Sequence, residues 1–90
     1  MATTYNVVTV TSTATLIIAA NSNRRGSIVL NLNGPIMYIG PNNLITTANA
    51  IPLEAKDIFS NAGDGEVYKG DIYGITETLN ANVRYWEWTP

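Results

Sequence analysis

Turn-forming residues punctuate this chain at intervals of roughly 8 to 12 residues, and the runs between them are short and rich in β-branched side chains. No window sustains an apolar stripe at helical spacing beyond about two turns, because Gly, Pro, Asn or a β-branched residue interrupts each candidate. The chain is therefore expected to be all-β.

The runs can be placed one by one. Residues 5–12 and 14–20 read as strands, the second with a continuous apolar centre at Leu16, Ile17 and Ile18. After the polar turn 21–26, Ile28, Leu30 and Leu32 alternate with Ser27, Val29 and Asn31, which predicts a half-buried strand with its apolar face inward. Asn33-Gly34-Pro35 turns the chain into a short strand at 36–39, and Gly40-Pro41-Asn42-Asn43 ends it. Residues 42–49 then form a polar loop, and Ile51-Pro52-Leu53 resumes as an edge segment, where proline is tolerated. Further strands are expected at 57–59, 66–69, 71–76 and 82–88, with a glycine turn at 61–65. The sum is a single domain over residues 1–90: an antiparallel β-sandwich, jelly-roll-like, of about eight short strands. Residues 1–6 are expected to form an N-terminal arm, because Ala2, Thr3 and Thr4 have little to bury.

Composition narrows the function classes. The 90 residues carry five Lys and Arg against seven Asp and Glu, a net charge of -2, which gives no electrostatic footprint for nucleic acid or an anionic membrane. Charged residues are only 13% of the chain, about half the usual share, and Thr and Asn are abundant. Such a surface suits lasting packing against other protein copies. There is no Cys and no His, so neither a disulfide, a thiolate metal site nor the commonest general base is available. The start of the sequence lacks a basic region followed by a continuous apolar run, so synthesis in the cytoplasm without a secretory signal is expected.

A search for chemistry points away from catalysis. Asp64, Glu66 and Asp71 lie close together around a glycine turn, but their spacing matches no calcium loop, and they are expected to be solvated charges. The hydroxyl side chains have no His to activate them, and neither Lys56 nor Lys69 lies in a Ser-x-x-Lys arrangement. No cofactor is expected and the chain reads as non-enzymatic. The conspicuous feature is the aromatic C-terminal strand, in which Arg84, Trp86 and Trp88 share one face while Val83 and Tyr85 share the other. Trp86 and Trp88 either close the core and cap the sandwich or anchor a contact surface on a subunit or a sugar ring. Arg24 and Arg25 are expected as a solvated hairpin tip; buried, either would require a carboxylate or main-chain carbonyls as partner. With Arg84, the polar loop residues Asn42, Asn43, Thr46, Thr47 and Asn49 complete the candidate interface.

The order TATLIIAAN (13–21), Arg24-Arg25, MYIGP (37–41), TTANAIPL (46–53), DIYGI (71–75) and VRYWE (83–87) resembles a recurring pattern in small all-β virion proteins of tailed bacteriophages, over nearly the whole chain. The chain departs from that pattern at Ala50, where glycine is usual, and in carrying two tryptophans in the last strand, where lighter aliphatic residues are common. The resemblance implies a structural virion protein that binds the major capsid protein or other virion proteins, with no nucleic-acid or membrane partner. As a capsid decoration or cement protein, the leading expectation, it would act as a homotrimer on the outer surface of the head. The alternative is a tail, neck or fibre-associated protein with a surface for host glycans.

Overall fold

The computed structural model describes residues 2–62 and 67–90. Among the described residues there are eight strands: β1 (Ala2–Val10), β2 (Thr15–Ile18), β3 (Gly26–Asn33), β4 (Met37–Gly40), β5 (Ile51–Leu53), β6 (Ile58–Asn61), β7 (Ile72–Ile75) and β8 (Ala81–Thr89). They form two four-stranded sheets, in the order β1-β8-β3-β6 and β2-β7-β4-β5, and every pairing is antiparallel.

That order has a simple origin. Pairing β4 with β5, β3 with β6, β2 with β7 and β1 with β8 makes one long antiparallel ribbon folded back on itself. Rolling the ribbon brings β3 beside β8 and β4 beside β7, which closes the two sheets. The product is an eight-stranded jelly roll, so the all-β sandwich expected from turn spacing is the fold observed.

The core lies between the sheets. Val10, Val29, Ala81 and Val83 from the first sheet meet Ile17, Ile18, Met37, Ile39, Leu53 and Ile72 from the second, all within one buried cluster. Each large apolar side chain there contributes about 1.5–3 kcal/mol by leaving water. Gly74 leaves no room for a side chain on the core side of the second sheet: a Cβ would stand 2.9 Å from Ile17 Cδ1 and 3.1 Å from Met37 Sδ on the neighbouring strands, and 3.2 Å from Val10 Cγ1 of the facing sheet. A bulge in β2, between Leu16 opposite Tyr73 and Ile18 opposite Ile72, lets the adjacent Ile17 and Ile18 both be buried.

Three local expectations change. In β3 the buried face is Ser27, Val29 and Asn31, and Ile28, Leu30 and Leu32 face outward, half-buried. Polar anchoring reverses the expected orientation: Asn31 Nδ2 donates to the Pro35 and Leu53 carbonyls at 3.0 and 2.9 Å, across the gap between the sheets. Residues 2–6 are paired with β8 from Ala2 opposite Thr89 onward, as the first half of β1, where a free arm was expected. Residues 67–69 are not in a strand, because Tyr68 turns to Asn61, with Tyr68 N donating to Asn61 Oδ1 at 3.0 Å. The rest of the strand and turn expected there, Gly63 to Glu66, lies outside the described residues.

Candidate functional site

Alternation along the strands places a second set of large side chains on the outside of the first sheet. Register brings them into rows: Tyr5, Trp86, Ile28 and Ser60 lie side by side, and Val7, Arg84, Leu30 and Ile58 form the next row. Trp88 sits one row further, its ring over Gly26, where even a Cβ would collide with it. Tyr5 is 72% exposed, Val7 57%, Ile58 59% and Trp86 54%. The Tyr5 and Trp86 rings are 6.4 Å apart at 51°. A shallow groove of about 360 Å³ runs beside them, lined also by Asn6, Val7, Arg84 and Tyr85.

Four strands about 4.8 Å apart and three rows about 6.8 Å apart give a footprint of roughly 400 Å², in which the apolar side chains are interspersed with Thr3, Ser60, Arg84 and Gly26. Arg84 is the one charged side chain in its rows. Such a face can bind a protein surface or stack on a flat ring, but it offers no acid, base or nucleophile poised for reaction.

The outer face of the second sheet is different. The loop 41–50 folds over it, and Ile45, 7% exposed, presses its side chain on Gly40, which has no Cβ to obstruct it. Side chains hold the loop's turns: Asn42 Oδ1 accepts from Leu44 N at 2.9 Å, Asn49 Oδ1 from Thr46 N at 2.8 Å, and Thr46 Oγ1 from Ala48 N at 3.2 Å. Of the Asn and Thr residues expected to meet a partner, Asn42, Thr46 and Asn49 thus brace the loop itself, while Leu44 is its exposed apolar tip.

Arg24 overturns the expectation of a solvated hairpin tip, because only 1% of it is exposed. Its Nε donates to Glu87 Oε2 at 2.6 Å, Nη1 to the Tyr68 and Gly70 carbonyls at 2.9 Å each, and Nη2 to the Ala19 carbonyl at 2.8 Å. Glu87 belongs to β8 of the first sheet, while Ala19 follows β2 and Gly70 precedes β7 of the second. The guanidinium therefore ties one end of the sandwich together, its charge met by the carboxylate and three carbonyls. Buried within its own chain, Arg24 is not a contact residue, whereas Arg25 is exposed beside it.

The remaining candidates divide between two surfaces. Arg84, Trp86 and the half-buried Trp88 lie together on the outer face of the first sheet, as their spacing indicated. Asn42, Asn43, Thr46, Thr47 and Asn49 lie in the loop over the second sheet, on the opposite side of the sandwich. Sequence reasoning missed Tyr5, Val7, Ile28, Leu30 and Ile58, which complete the aromatic face. The available signal was that β3 is apolar on both faces at Ile28, Val29 and Leu30.

Of the carboxylates once grouped around the glycine turn, Asp64 and Glu66 lie outside the described residues, and Asp71 Oδ1 accepts from Ala20 N at 2.7 Å. Among the described residues no three metal-ligating side chains cluster, and no helix is long and apolar enough to cross a membrane. No protein-family model matches the chain, and no match was found among curated proteins or solved structures.

Proposed function

We propose that this chain is a structural protein of a tailed-bacteriophage virion, a decoration or cement protein that attaches to the outer surface of the head. The observation that carries the reading is the broad apolar outer face of the first sheet, built around Tyr5, Trp86, Val7 and Ile58. The motif resemblance supplies the virion context. Jelly rolls recur in viral capsid domains, a fold-level analogy that agrees with this context.

The mechanism is mass action. A protein that binds only the assembled shell stabilises it in proportion to its occupancy, and symmetric attachment at several points multiplies a modest affinity for each site. The partner is the major capsid protein or another virion protein, the location is the virion, and no reaction is catalysed. The test is cryo-electron microscopy of intact virions with the chain labelled: label over the head facets supports decoration, and label confined to the tail contradicts it.

One observation favours a second reading, a tail or fibre-associated protein that binds host glycans. Tyr5 and Trp86 flank a groove that also holds Arg84 and Asn6, a combination suited to stacking on a sugar ring and hydrogen-bonding its hydroxyls. Binding on a glycan array that is lost in Trp86→Ala supports this reading, and an empty array removes it.

A further inference from the structure

The four sheet edges of this sandwich are not alike. Three are short: β2 has four residues, β6 four, and β5 three with Pro52 at its centre. Shortness and proline are ways in which proteins blunt an edge against pairing. The fourth edge, β1, runs nine residues as ATTYNVVTV, with no proline and no charge. It is about 30 Å of unprotected strand.

Its free side can be identified. Val7 N donates to its own neighbour, Asn6 Oδ1, at 2.8 Å, so this amide points away from the β8 ladder. By alternation, Thr3, Tyr5, Val7 and Thr9 turn their main-chain groups to the open edge, while Asn6 and its even-numbered neighbours turn theirs to β8.

We infer that β1 is a self-association edge, and that two copies of this chain pair β1 to β1, antiparallel, about a twofold axis at Asn6. In that register Tyr5 faces Val7 of the second copy and Thr3 faces Thr9, giving about eight main-chain hydrogen bonds between copies. Every residue of β1 gains a partner, and aromatic with β-branched and Thr with Thr are favourable cross-strand pairs.

The two first sheets become one sheet of eight strands, with both Tyr5–Trp86 faces on the same side. The nearest charged residues of those faces, the two Arg84 side chains, lie on strands about 14 Å apart, beyond the screening length at physiological salt. A strip of about 30 Å along the strands, with its flanking side chains, buries roughly 1,000 Å² counting both copies, enough for a specific contact. A twofold axis satisfies both edges at once, whereas three copies cannot all pair their β1 edges with one another. The inference does not rest on the virion reading; where both hold, the dimer presents two docking faces side by side.

Asn6 is exposed, so substitution there tests the pairing without disturbing the core. The measurement is sedimentation velocity of the purified full chain. Wild type is expected to be dimeric, Asn6→Lys and Asn6→Glu each monomeric because like charges meet on the axis, and their equimolar mixture dimeric again. Asn6→Cys supplies the chain's single thiol at a non-hydrogen-bonded pair, whose Cα spacing of about 4.5 Å suits a disulfide, and it should oxidise to a covalent dimer. Thr4→Cys, about 14 Å from its counterpart in this register, should not. A monomeric or trimeric wild type, a charge-swapped mixture that stays monomeric, or equal cross-linking at positions 4 and 6 overturns the inference.

Discussion

The two sheets have four strands each and share one core, yet a loop packs on the outer face of one at Gly40 while the large apolar side chains of the other stand more exposed. Over the second sheet, the loop 41–50 lays Ile45 on Gly40 and satisfies its own amides with Asn and Thr side chains. Over the first sheet, Tyr5, Val7, Ile58 and Trp86 stand in water. The loop contributes to the fold at Gly40, whereas the exposed aromatic residues of the first sheet are the part proposed for contact. The polar end follows the same division, because Arg24 and Glu87 face inward and join the sheets, although their chemistry alone would suit a surface.

Substitutions can break that comparison. The largest effect is expected at the buried pair, where Glu87→Ala strands a guanidinium that is 0% exposed and should cost about 3–5 kcal/mol in denaturant unfolding. A loss under about 1 kcal/mol would show that Arg24 finds water or another partner, and that the end is not pinned. Ile45→Ala uncovers Gly40 and should cost about 2 kcal/mol, at the low end for a buried isoleucine because only one side of the contact is core. On the first sheet's outer face, Trp86→Ser should cost no more than about 1.5 kcal/mol, the share of its half-buried ring and its pairing with Tyr5. A larger loss there would mean that the face belongs to the fold and would weaken its assignment as a contact surface. Lys56 holds φ 73° in the turn before β6, so Lys56→Gly should raise the unfolding free energy by up to about 1 kcal/mol.

Much of the architecture was legible because turns and alternation are local. The Gly, Pro and Asn clusters placed most of the strands, and the period of two put Arg84, Trp86 and Trp88 on one face of β8. Which face of β3 points inward was not legible, since both carry apolar side chains. The choice depends on Asn31, whose amide binds carbonyls of Pro35 and of Leu53, 22 residues away in sequence. Arg24 was hidden for the same reason: its acceptors come from residues 19, 68, 70 and 87, and only the fold brings them together. One local cue did exist. Glu87 occupies an inward position of β8, in phase with Val83 and Tyr85, and an inward carboxylate calls for a buried cation. The contact face was only half legible, because the partners of Trp86 come from β1, β3 and β6 through register that no local pattern encodes.

The separation of contact from stability is tested most directly by comparing Trp86→Ser with Leu44→Ser in co-sedimentation with isolated phage heads, alongside their melting temperatures. Leu44 is the more exposed, at 78%, and lies in the loop that packs on the second sheet at Gly40. The expected result is that Trp86→Ser still folds, melting no more than about 10 °C below wild type, and is lost from the heads, while Leu44→Ser remains bound. Undiminished attachment of Trp86→Ser, or loss of Leu44→Ser alone, would contradict the assignment and move the contact surface to the loop.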